Sequence, residues 1–193
     1  MSAGAQVEAV LKQVDKDFDA SLARLFAHLR IKSISADPAH ADDCKAMAAQ
    51  LAGEIAALGF SAEVRPTGGH PAVVGTAAGG SGPRVLFYGH YDVQPVDPLN
   101  LWDRPPFDPS IATIDDGRKV ITGRGAADDK GQVMTFLEAC RAWRAVTGKL
   151  PLPVTLLIEG EEEVGSKHLP AFLAANRKDL SADVCLVCDT NMW

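Results

Sequence analysis

The second half of the chain alternates apolar strand-like runs with helix-length segments, and this alternation constrains the fold more than any other feature. Residues 84–88 (Arg-Val-Leu-Phe-Tyr) read as a buried strand running into His90. Residues 131–146 follow as a helix, 154–158 as a buried strand, 167–176 as a helix and 184–187 as a further strand. Strand, helix, strand, helix, strand implies an α/β fold, with a mostly parallel or mixed sheet covered by helices on both faces. In such sheets ligands gather beyond the carboxyl ends of the strands. The positions just after each strand are therefore where chemistry is expected.

The first half supplies the cover. Residues 7–31 carry Val10, Leu11, Val14, Phe18, Leu22, Leu25, Phe26 and Leu29 at three- and four-residue steps, the pattern of a long amphipathic helix. The run Ser33-Ile34-Ser35-Ala36-Asp37-Pro38 breaks it. A second helix from about residue 39 to 58 ends at Gly59, a residue suited to the left-handed position beyond a helix. Residues 62–65 and 72–76 read as short strands separated by Pro66-Thr67-Gly68-Gly69. Residues 94–109 are Pro-rich around Trp102 and read as an ordered loop over a site. Asp115-Asp116-Gly117, between 111–114 and 119–122, signals a hairpin.

Four segments at these strand ends carry histidine or carboxylates: Gly89-His90-Tyr91-Asp92, Gly125-Ala126-Ala127-Asp128-Asp129-Lys130-Gly131, Glu161-Glu162-Glu163-Val164-Gly165-Ser166 and Cys188-Asp189-Thr190. Together they hold one imidazole and several carboxylates, the donor set that zinc and similar divalent ions accept at a hydrolytic site. His90 and Asp92, two apart on a continuing strand, share a face, so Asp92 can accept the proton of the second imidazole nitrogen. Asp128 and Asp129 stand at the start of a helix, where a carboxylate also serves simply as a cap. Three adjacent glutamates at the end of a buried strand repel one another, and a structural role alone would favour neutral residues there. The pair Glu162-Glu163 leaves one carboxylate free to act as a general base. A lone Asp189 would carry little weight; the conjunction of four such segments carries the argument.

Composition excludes several alternatives. The chain has 193 residues, enough for one well-buried domain, and a net charge of -6. With no basic patch, nucleic acid is not expected as a partner. There is no signal-like N-terminus and no apolar run of membrane-spanning length, so the expectation is a cytoplasmic protein with no membrane partner. Cys185 and Cys188 have CxxC spacing inside an apolar strand-like run, which favours buried packing over a redox or zinc role. His28, His40, His70 and His168 read as surface or packing residues. Glu-Val-Gly-Ser-Lys around Ser166 is not a nucleophile elbow, and Gly123-Arg124-Gly125 lacks the third glycine of a dinucleotide fingerprint.

These segments resemble the co-catalytic zinc metallopeptidases that include carnosinase-like dipeptidases, aminoacylases, acetylornithine deacetylase and succinyl-diaminopimelate desuccinylase (peptidase family M20). The resemblance is to the dipeptidase branch. It rests on Gly-His-Tyr-Asp-Val-Gln-Pro at 89–95, Trp102 with Pro106-Phe107, Gly-Arg-Gly-Ala-Ala-Asp-Asp-Lys-Gly at 123–131 and Glu-Gly-Glu-Glu-Glu-Val-Gly-Ser at 159–166. The resemblance implies a zinc-exopeptidase-like catalytic domain with two divalent cations, zinc first and manganese or cobalt as alternatives. His90 and Asp189 would hold one cation, Glu163 the other, and Asp128 would bridge them. Asp92 would orient His90, and Glu162 would be the base. It also implies a cis peptide between Asp128 and Asp129.

The implied reaction is amide hydrolysis of a dipeptide or small peptide, with deacylation of an N-acyl amino acid as the alternative. A catalytically silent metal-binding or interaction module is the third reading. Members of this family are longer: an inserted lid, through which they form homodimers, follows the segment equivalent to Asp189, and the catalytic domain then resumes to supply a last His ligand. The expectation is that residues 1–193 form the N-terminal part of such a catalytic domain and are inactive alone.

Overall fold

A computed structural model describes residues 2–189. The first helix, α1 (Ala3–Leu29), starts where the Ser2 hydroxyl accepts the Ala5 amide, and buries Val10, Leu25 and Leu29. It begins four residues before the apolar periodicity does, because that cap and the small residues after it sustain a helix without an apolar face. The chain then turns through Pro38–His40, where the Asp37 carboxylate caps the Ala39 amide, into α2 (Ala41–Ala57). Gly59 follows at φ +80°, the left-handed conformation expected of it.

The strands are β1 (Ser61–Arg65), β2 (Ala72–Ala77), β3 (Val85–His90), β4 (Ser110–Thr113), β5 (Lys119–Thr122), β6 (Val154–Glu159) and β7 (Val184–Val187). Between them lie α3 (Lys130–Thr147) and α4 (Leu169–Ala175). Pro170 in the first turn of α4 suits a helix start, which places that start later than periodicity alone implies. β4 and β5 form the expected hairpin as a separate small sheet. The main sheet has the order β1-β2-β6-β3-β7. β3 pairs in parallel with both β6 and β7, whereas β2 is antiparallel to β1 and to β6. Only β2 therefore runs against the others, and the sheet is mixed with a parallel block of β6, β3 and β7.

Strand alternation sorts the core into two layers. Val73, Phe87, Leu156 and Ile158 face Cys44, Met47, Leu51 and Ile55 of α2 and Val133, Leu137 and Cys140 of α3. Val74 and Leu157 face the other way, onto Phe172 of α4 and Leu180. Helices thus cover both faces, as expected, and α1 lies outside α3. The Ser21 hydroxyl and Arg24 guanidinium of α1 donate to the Glu138 carboxylate of α3, Arg24 by 2.7 and 2.6 Å bonds.

One expectation fails. Cys185 is exposed, not buried, because β7 is an outer strand with a partner on only one side among the described residues. Cys188 is partly buried against the α2–α3 layer.

Candidate metal centre

β3 delivers His90 at the carboxyl end of the parallel block, fully buried at 0% exposure. The chain leaves the strand through Asp92, also at 0%, whose carboxylate lies 3.3 Å from His90 Nδ1. The Asp92 backbone carbonyl is 3.1 Å from the same nitrogen. With Nδ1 engaged on Asp92, Nε2 points at the rim. There it meets Asp128 Oδ1 at 3.0 Å, Glu162 Oε2 at 3.8 Å and Asp189 Oδ1 at 3.9 Å. One donor atom each from His90, Glu162 and Asp189 lie within 4.8 Å of one another.

Asp92 does more than hold the ring. Its two oxygens accept the backbone amides of Glu162 at 3.3 Å and Glu163 at 3.1 Å, so it also pins the turn Glu162–Val164 that follows β6. The Glu163 carboxylate accepts a 2.7 Å bond from the Gln94 side-chain amide. Gln94 belongs to the loop the sequence places over a site.

Asp129, in the cap position of α3, makes no side-chain cap bond. It is buried at 0% and accepts the His90 backbone amide at 2.9 Å through Oδ2, while Oδ1 has no partner. The capping reading of this segment thus fails for Asp129. Asp128 is the exposed member of the pair, and the peptide joining them is cis, as the resemblance implies. The close approach also explains Gly89: a Cβ there would lie 2.7 Å from Asp129 Oδ2 and 2.8 Å from Val133 Cγ2.

The electrostatics show an unbalanced cluster. Burial opposes charge on His90, but the hydrogen bond and charge of Asp92, with the charges of Asp129 and Asp128, outweigh it and raise the imidazole to about 10. Burial pushes Asp129 up to about 7, with Asp189 and Asp128 adding repulsion against the opposing pull of His90. Glu162 is raised by burial, and Asp189, Glu163 and Asp92 add to it while His90 opposes. Glu163 is raised by burial and by Asp128 against its Gln94 bond. A divalent ion fits the set, since the donors are one nitrogen and several oxygens already gathered and the buried Asp129 oxygen lacks a partner.

The model for peptidase family M20/M25/M40 matches residues 86–193, more than half of the chain. The chain belongs to this family. It is 29% identical over 198 residues to a Cys-Gly metallodipeptidase of Schizosaccharomyces pombe, an alignment covering 97% of this chain and 41% of that protein. It is 36% identical over 149 residues to a succinyl-diaminopimelate desuccinylase of Paracidovorax citrulli, covering 71% of this chain and 36% of the relative. The crystal structure of human carnosine dipeptidase 1 superposes with a TM-score of 0.83 at 28% identity, over 96% of this chain and 41% of that one. The chain thus spans about two fifths of the length of these family members.

In this family member the rim opens into a cleft of about 890 Å³ with mainly apolar walls. Phe18 and Leu22 of α1, Trp102, and Ile111 and Ile121 of the β4–β5 hairpin line it, and Asp128 and Asp189 stand on its border. The Arg124 guanidinium lies 5.2 Å over the Trp102 ring and donates to the Pro95 carbonyl, which ties the 94–109 loop to the cleft.

Sequence reasoning missed the tasks of Gln94, Asp129 and Glu159. Asp129 carried a signal, since two adjacent aspartates cannot both be caps. Glu159 carried another: a glutamate ends a strand whose six residues are all buried. Among the described residues no helix is long and apolar enough to cross a membrane.

Proposed function

We propose that this chain forms the metal-binding N-terminal part of the catalytic domain of a dinuclear metallopeptidase that hydrolyses dipeptides or small peptides. The observation that carries the reading is the arrangement at His90. Its ring is buried and braced by Asp92 at Nδ1, while Nε2 faces Asp128, Glu162 and Asp189. In this reading His90 and Asp189 would hold one cation, Glu163 the other, and Asp128 would be shared by both. Zinc is the first choice for both, because imidazole and carboxylate suit it. When bound, such a pair lowers the pKa of a water and polarises the scissile carbonyl.

The remaining work falls to the protein's own groups. Asp92 fixes the imidazole so that Nε2 is the free nitrogen. Glu162, whose carboxyl burial raises above its ordinary value, is suited to take a proton from the attacking water and pass it to the leaving amine. The largely apolar cleft lined by Asp128 and Asp189 has room for a small peptide. The whole enzyme would be a homodimer acting on a peptide, without nucleic acid or membrane.

A second reading, deacylation of an N-acyl amino acid, is favoured by the 36% identity to a desuccinylase. The test is an assay of the full natural polypeptide containing residues 1–193, loaded with zinc, manganese or cobalt, on dipeptides and on N-acetyl and N-succinyl amino acids. Faster turnover of dipeptides, abolished by a chelator and restored by metal, is the expected result. Preference for the N-acyl compounds would select the second reading, and no metal-dependent turnover of either would overturn both.

A further inference from the structure

The turn that carries Glu162 is held at both ends, and only the front of that hold belongs to the site described above. In front, Asp92 accepts the Glu162 and Glu163 amides. Behind, the chain passes through Gly165 into Ser166, whose hydroxyl donates to Glu159 Oε1 at 2.9 Å. Glu159 ends β6 and is 4% exposed. It sits in register beside His90, its backbone carbonyl accepts the Tyr91 amide at 2.9 Å, and the Tyr88 hydroxyl donates to the same Oε1 at 2.6 Å. A buried carboxylate is costly unless its hydrogen bonds are satisfied, so this one is held by the two hydroxyls rather than left to drift.

Ser166 has φ +50°, the only non-glycine residue with positive φ among those described. A serine in the left-handed region is disfavoured relative to glycine, and such residues persist where the surroundings hold them. A hydroxyl is what glycine would lack. The side chain therefore has a use that offsets the backbone cost, and the bond to Glu159 is that use.

We propose that Glu159 and Ser166 are positioning residues. Their bond sets where the Glu162 carboxylate stands relative to His90, forming the rear of a clamp whose front is Asp92. The proposal rests on the reading of Glu162 as the proton-transfer group. Because β3 and the residues just after it supply His90 and Asp92 while β6 supplies Glu159, the clamp ties the base to the same two adjacent parallel strands that hold the imidazole. A base displaced by a fraction of an ångström still leaves cations and substrate bound, so the loss should fall on kcat rather than on KM.

The test uses the full natural polypeptide with its cations. Ser166→Gly removes the hydroxyl but fits φ +50° without strain, so a merely structural role would leave it folded and fully active. The expected result is a folded protein with at most a modestly changed Tm, unchanged cation content, KM within about twofold and kcat lower by roughly 10- to 100-fold. Glu159→Gln keeps an acceptor oxygen for both hydroxyls and should retain kcat within about threefold, whereas Glu159→Leu should fall as Ser166→Gly does. Wild-type kcat in Ser166→Gly would overturn the proposal, as would equal losses in Glu159→Gln and Glu159→Leu. Glu162→Gln, measured alongside, separates the two ideas: if it abolishes turnover while Ser166→Gly is fully active, only the clamp fails. If Glu162→Gln itself stays active, the reading of Glu162 fails.

Discussion

Asp92 faces the His90 ring on one side and the amides of Glu162 and Glu163 on the other, so one buried carboxylate couples the imidazole to the glutamate turn. Roles within the cluster then separate by substitution in the full polypeptide. Glu162→Gln should lower kcat by about 10²- to 10⁴-fold while both cations remain bound, because it removes a proton acceptor and no proposed ligand. Asp128→Ala should instead lose cations, which metal analysis after dialysis would reveal. Retained cations in Asp128→Ala, or retained turnover in Glu162→Gln, would reverse the assignments. Gly89→Ala probes the packing behind the cluster: its methyl would meet Asp129 Oδ2 and Val133 Cγ2 at 2.7 and 2.8 Å. It should cost about 1–3 kcal/mol in denaturant unfolding. His90, Asp92 and the glutamate run were legible in the sequence because each breaks a local rule, placing polar groups where an apolar strand ends. Gln94 and Asp129 act on partners 69 and 39 residues away, and Glu159 on Tyr88 71 residues away besides Ser166 close by; no local pattern encodes the long-range pairings.

At the scale of elements, α1 and α3 were readable from their periodicity, but their mutual docking was not. It runs through Glu138, which accepts from Ser21, Arg24 and Arg141. Burial alone would raise that carboxyl; the bonds from Arg24 and Ser21 and the charges of Arg141 and Arg24 outweigh burial and hold it below its usual range. A carboxyl depressed in the folded state contributes stability above its unfolded pKa, near 4.3, and that contribution is lost as pH falls through the lower folded value. Hydrogen-exchange protection factors in α1, corrected for intrinsic rates, should therefore fall below about pH 4. Glu138→Gln should weaken α1 docking by about 1–3 kcal/mol at neutral pH and flatten this acid dependence. An unchanged acid profile in Glu138→Gln would refute the role given to the pair. The exposure of β7 is the converse case: its apolar composition predicts burial, whereas burial depends on what lies beside a strand.

At the scale of the whole molecule, the proposed roles give a second cation only Asp128 and Glu163 among the described residues, where zinc normally has three protein ligands and a water. A polypeptide of residues 1–193 should therefore take up zinc at one site more tightly than at the other and show no dipeptide turnover, by calorimetric titration and assay beside the full natural polypeptide. Turnover near that of the full polypeptide would refute the ligand count. The sequence by itself determined the α/β class, the covering helices, the hairpin and the chemical kind of the site. These follow from apolar periodicity, turn residues and charge at strand ends, all of which act over a few residues. The tertiary structure alone decided the order β1-β2-β6-β3-β7, the reversed direction of β2 and the hold of Gln94 on Glu163. It also decided the bond from Ser166 to Glu159 and the exposure of Cys185. Apart from the Ser166–Glu159 bond, which spans seven residues, each of these depends on which distant segments pack together, and the free energy that selects among such packings belongs to the whole core rather than to any one stretch of the chain.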